Sequence, residues 1–123
     1  MTARAGRRAA LVAAVRVVVC GLAVTPLLRW IVVTHAVPAG RPWRHRCPRC
    51  TAPFGPGGDL GALLPTARCG RCRQRLGPPP WTLELVAAGS ALALVGSGLR
   101  GVPLVAYGWC ASLSVALLFI DLA

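Results

Sequence analysis

Residues 102–120 read VPLVAYGWCASLSVALLFI, 19 consecutive positions without a charge. A bilayer-spanning helix needs roughly 20 apolar residues, and in lipid an unpartnered segment satisfies its own backbone only as a helix. The stretch therefore reads as a transmembrane helix. Two further apolar runs accompany it. Trp81 to Gly98 carries one charge, Glu84. Ala9 to Leu28 is interrupted by Arg16, is expected to bend at Pro26, and continues through Arg29 and Trp30 to Val37. Too little soluble chain remains to bury three such helices. Arg4, Arg7 and Arg8 resemble the basic start of a signal peptide, but the run behind them is long, holds Arg16 and lacks a small-x-small cleavage site. It is expected to stay attached as an anchor.

Composition supports the membrane reading. The 123 residues are 55% hydrophobic, yet 14 basic residues, all arginine, face three acids for a net charge of +11. Apolar content that high excludes intrinsic disorder. A soluble nucleic-acid binder would be basic and polar, whereas this chain is basic and apolar. A disulfide-stapled secreted miniprotein fits poorly, because four of the six cysteines form two C-x-x-C pairs.

The second and third runs are joined by Leu99-Arg100-Gly101 and followed by Pro103. So short a link makes an antiparallel helical hairpin. Its outer ends carry Glu84 and Asp121, which the topology places at similar depth near one surface. Between Val37 and Pro80 lie eight arginines (41, 44, 46, 49, 68, 71, 73, 75) against one acid, Asp59; the hairpin tip has only Arg100. Arginine-rich loops stay cytoplasmic, so the insert is expected in the cytoplasm and the N-terminus outside. That placement overrides the local pull of Arg4, Arg7 and Arg8. Arg29 is expected to snorkel to the cytoplasmic interface and Trp30 to anchor there.

Within the insert, Cys47-Pro48-Arg49-Cys50 is followed after 18 residues by Cys69-Gly70-Arg71-Cys72. Two residues between thiolates let one tight turn aim both sulfurs at a single ion, and two such knuckles make a four-cysteine zinc site. Arg46, Arg49, Arg68, Arg71 and Arg73 offset the formal −2 charge of Zn(Cys)₄. Pro53, Gly55, Pro56, Gly57 and Gly58 leave the insert too poor in apolar residues for a core of its own, so metal binding is expected to hold it together. Four protein ligands leave no open position, which makes the zinc structural. Competing readings are redox-active or disulfide cysteines and a nucleic-acid-binding ribbon. Cytoplasmic placement opposes stable disulfides; membrane orientation already accounts for the arginines, and Trp43 alone is there to stack on bases, so no nucleic-acid partner is expected. His35 and His45 are not expected as ligands. Cys20 and Cys110 read as buried apolar-like side chains. The expected organisation is an all-α membrane protein: an N-terminal transmembrane helix over 1–36, a cytoplasmic four-cysteine zinc-binding insert over 37–80, and a transmembrane helical hairpin over 81–123.

The chain closes Leu117-Leu118-Phe119-Ile120-Asp121-Leu122-Ala123. An ionisable residue at the end of an uncharged helix is either a functional group or a marker of the water interface. The order of features, taken together, resembles the bacterial type IV prepilin peptidases, which are integral-membrane aspartic proteases. Arg46 to Cys50 resembles their first knuckle and Arg68 to Cys72 their second. Glu84-Leu85 falls where the family has a Val-Glu-Leu segment, and Ile120-Asp121-Leu122 falls where it has the first catalytic aspartate. The resemblance runs from about Leu28 to the last residue.

The chain departs from that family in three places. It lacks the Gly-x-Gly-Asp motif that carries the second catalytic aspartate. It has Ala123 where a second acid often follows the first motif. The residues between its knuckles do not follow the family's Asn-Ile-Pro and Ser-Trp-Leu pattern. The resemblance implies the N-terminal portion of a prepilin leader peptidase in the bacterial inner membrane, multi-pass, with Asp121 as a catalytic residue and a prepilin-like substrate. It also implies a second polypeptide, or further sequence, bearing the rest of the enzyme. In the complete enzyme, S-adenosylmethionine serves N-methylation of the new terminus. The 123 residues alone are expected to be inactive. The alternative is a non-enzymatic, membrane-anchored zinc module that binds a protein partner.

Overall fold

The computed structural model describes residues 2–122. The chain is all-helical: α1 spans Thr2–His35, α2 Thr82–Gly96 and α3 Val102–Asp121, with a 3₁₀ turn over Leu60–Leu63 in the insert. Among the described residues there is no β-strand, only three isolated bridges. Helices α1 and α3, at 34 and 20 residues, are long and apolar enough to cross a membrane.

One expectation about the helices changes. The second run was expected to span from Trp81 to Gly98, making about three transmembrane helices. Instead α2 has 15 residues, about 22 Å of helix and short of a ~30 Å bilayer core. Its start is set by the three prolines 78–80 and by Trp81, whose φ of 64° is left-handed; its end is set by Ser97 and by Gly98 at φ 76°. Helix α1 continues as one helix through Pro26. Proline removes the N–H that would bond the carbonyl four residues back, here Leu22. The Thr25 hydroxyl donates to that Leu22 carbonyl at 2.7 Å, so the freed acceptor is not left bare in an apolar helix.

Two apolar clusters meet at the C-terminal end of α1. Leu28 and Val32 face Leu83 of α2 and Val115 and Ala116 of α3. Val33, one residue on, faces the insert and packs with Cys47, Phe54, Ala62, Cys69 and Leu76. The insert thus has a small core after all, built from its own cysteines and completed by a residue of α1. Two glycines permit the close fit. A Cβ at Gly55 would lie 2.8 Å from Trp30 Nε1, and one at Gly77 2.7 Å from Val33 Cγ2; both glycines have positive φ, at 111° and 120°. The hairpin of α2 and α3 brings the end of α3 back to this junction, where Phe119 and Leu122 share a cleft of about 380 Å³ with Arg44, Gly77, Pro78 and Pro79.

Candidate metal centre and neighbouring carboxylates

Each C-x-x-C pair folds into the same turn. The Cys47 N–H donates to the Ala52 carbonyl and the Thr51 N–H to the Cys47 carbonyl, both at 2.9 Å. In the second knuckle the Cys69 N–H donates to Gln74 and the Arg73 N–H to Cys69, again at 2.9 Å. Thr51 and Arg73 occupy the left-handed region at φ 57° and 56°. The bridges repeat too, pairing Arg46 with Pro53 and Arg68 with Arg75. The two knuckles therefore share one local turn, and their sulfurs converge on one point.

The sulfurs of Cys47 and Cys72 lie 3.5 Å apart and those of Cys50 and Cys69 3.6 Å, with all four within 4.8 Å of one another. A tetrahedral ion with Zn–S bonds of about 2.3 Å separates its sulfurs by about 3.8 Å. The donor set fits such an ion, and the cysteines are free of disulfides. Without a cation, four crowded thiols cannot all ionise. Burial raises the Cys47 thiol, but the backbone N–H groups of Cys50 and Arg49 and the neighbouring thiols outweigh it and bring it down to about 7. The Cys72 N–H favours the Cys69 thiolate, yet burial and the Cys50 and Cys72 thiols push Cys69 up to about 12. A divalent ion removes that conflict by holding every sulfur as thiolate.

Asp59 ties the halves together. Its carboxylate accepts from the Gly61 N–H at 2.8 Å, from the Gly70 N–H, and from the Cys69 thiol at 3.4 Å. The Gly61 N–H foremost, with those of Gly70 and Arg71 and the Cys69 thiol, holds its pKa below the usual carboxylate value. The insert's one acid is thus an internal clamp amid eight arginines, of which all but Arg44 are exposed. Partners of this kind around a metal site are worth 10- to 100-fold in affinity. An Asp59→Ala variant is expected to weaken metal binding by about that factor in a chelator competition, with one ion per chain still bound at saturation.

The histidines stay outside the cluster. His35 Nδ1 lies 2.8 Å from the Ile31 carbonyl and its ring meets Trp43 at 4.7 Å between centroids, while His45 is exposed. Cys20 and Cys110, expected buried, are exposed on the flanks of α1 and α3, because three helices are too few to cover both faces of each.

The sequence reading missed a pairing. Arg29, expected to snorkel, is fully buried, and its Nη2 donates to both Glu84 oxygens at 2.8 and 2.7 Å. A carboxylate on the neighbouring helix lets the guanidinium stay buried with two charge-assisted hydrogen bonds. The two charges could have been matched beforehand, since each is the single charge in its turn of an apolar helix at the insert's two ends. Glu84 is thereby held by Arg29, whereas Asp121, at the last position of α3, is exposed. Helix ends near the Leu83 cluster hold both acids at one end of the bundle. No protein family, curated protein or solved structure matches the chain.

Proposed function

We propose that this chain is a membrane-embedded portion of an aspartic peptidase of the prepilin-peptidase kind, with a structural zinc knuckle at its cytoplasmic face. The observation that carries the reading is the return of the α3 terminus to the insert: Asp121 stands between Phe119 and Leu122, which line a cleft with Arg44 and the 77–79 segment, and is itself exposed at that helix end. An extended substrate segment leaving that cleft round the exposed end of α3 would reach the Asp121 carboxylate. Aspartic proteolysis needs two carboxylates sharing a proton, one ionised to take a proton from the attacking water, the other protonated to hydrogen-bond the scissile carbonyl. Asp121 would fill one role. Glu84 does not fill the other, because Arg29 engages both of its oxygens. The second carboxylate therefore comes from further sequence or a partner subunit. Zinc, held by Cys47, Cys50, Cys69 and Cys72, would shape the cleft wall without touching substrate. The insert's exposed arginines support a cytoplasmic face.

The same engagement of Glu84 favours a second reading, a non-enzymatic anchored zinc module that docks a protein partner. One experiment separates the two. The chain alone is expected to leave a prepilin leader uncut. Supplied with a membrane segment bearing Gly-x-Gly-Asp, it is expected to cleave, and Asp121→Asn is expected to lower that rate by at least about 10³-fold, the scale lost with one member of a catalytic set. Cleavage undiminished by Asp121→Asn, or none in the presence of the segment, favours the docking module.

A further inference from the structure

Helices α1, α2 and α3 enclose a half-open groove of about 430 Å³ that runs from Leu28 and Val115 toward the hairpin tip. Its wall is nearly all apolar and rich in small residues, among them Gly21, Ala91 and Gly108, with Trp109 at its edge. One charge enters it. Arg16 lies at the end nearest the hairpin tip, beside Leu104 and Val105 at the start of α3. The only ion pair among the described residues joins Arg29 to Glu84, so Arg16 brings an uncompensated cation to an apolar channel, where an unpaired charge is costly. From Arg16 to Leu28, at the groove's other end, α1 rises about 18 Å. One leaflet of a bilayer core is about 15 Å deep. The groove is thus about as long as one leaflet is deep, and a cation at its outer end would stand at headgroup depth.

We infer that this groove holds one anionic phospholipid of the leaflet opposite the insert, its phosphate on the Arg16 guanidinium and an acyl chain along Gly21, Ala91 and Gly108. Arginine matches a phosphate with paired N–H donors, and the volume falls in the range of ligand clefts. A packed helix is the poorer occupant, because it would have to present an acid opposite Arg16 at headgroup depth. The inference rests on the membrane placement above but not on peptidase activity.

The test uses the full chain in nanodiscs of phosphatidylcholine with phosphatidylglycerol as a minor component, released into detergent and weighed by native mass spectrometry. One phosphatidylglycerol per chain is expected, retained about tenfold over phosphatidylcholine, whose phosphate is already offset by its own choline cation and so gains less from Arg16, a difference of about one charge-assisted contact. Arg16→Gln is expected to bring the two lipids to parity, Arg16→Lys to restore much of the preference, and Gly108→Leu to lower retention of both by filling the groove. Parity in the parent chain, an unchanged preference in Arg16→Gln, or a lipid-free dimer joined through the groove overturns the inference. Release of the chain into the aqueous fraction on alkaline extraction overturns the membrane placement itself, an outcome distinct from lipid parity.

Discussion

Replacing Cys47 and Cys50 together by serine is expected to strip the chain of metal and unfold its insert. The two serines remove one knuckle's sulfurs, leaving Cys69 and Cys72 as half a tetrahedron. Four-cysteine sites contribute roughly 10–16 kcal/mol to folding, far more than the six-residue cluster of Val33, Cys47, Phe54, Ala62, Cys69 and Leu76 can replace. Elemental analysis is expected to find one zinc per parent chain and none in the variant, and amide exchange over residues 41–80 to rise to unprotected rates. Helices α2 and α3 keep their own contacts with α1, so helix content outside the insert is expected to persist. Acid is expected to mimic the substitution. The bound ion keeps the sulfurs as thiolates, so protons compete with it, and affinity falls as pH drops. Iron in place of zinc, or a disulfide in the purified chain, would redirect the cysteines to redox chemistry.

The second large effect is expected at Arg29. Removing one partner of a buried pair leaves an uncompensated charge and costs about 3–5 kcal/mol. Arg29→Ala strands Glu84, whose side chain is 9% exposed. Three of the five guanidinium N–H groups, on Nε and Nη1, already have no acceptor, so the pair is stabilised less than a fully hydrogen-bonded one. The double variant Arg29→Met, Glu84→Leu is therefore expected to recover most or all of the stability lost in Arg29→Ala, measured by unfolding in mixed micelles. If Glu84 also contacts substrate, the double variant will be stable yet defective in the reconstituted cleavage assay, which a purely structural pair would not be.

How far the sequence carries depends on where the information is local. The third apolar run, read as residues 102–120, becomes α3 over Val102–Asp121, since an uncharged run bounded by Gly101 and Asp121 needs no tertiary knowledge. The C-x-x-C spacing likewise fixes each turn locally, and convergence of the four sulfurs follows from repeating it. What was not legible depended on partners. The carbonyl that Pro26 leaves without its usual donor is met by the hydroxyl one residue before it. The length of α2 is set by backbone conformations at Trp81 and Gly98 that hydropathy does not register. The fate of Arg29 depended on a carboxylate 55 positions away, and the core of the insert on a valine in α1.

That separation of 55 residues orders events at the ribosome. At about 5–20 residues per second, Arg29 leaves the exit tunnel roughly 3–11 seconds before its counter-ion. Until Glu84 arrives, the two charge-assisted hydrogen bonds that bury Arg29 cannot form. All four cysteines precede Glu84 in the chain, so the metal knuckle can close before α1 docks on α2. The insert and the helix bundle are thus free to assemble in sequence rather than all at once.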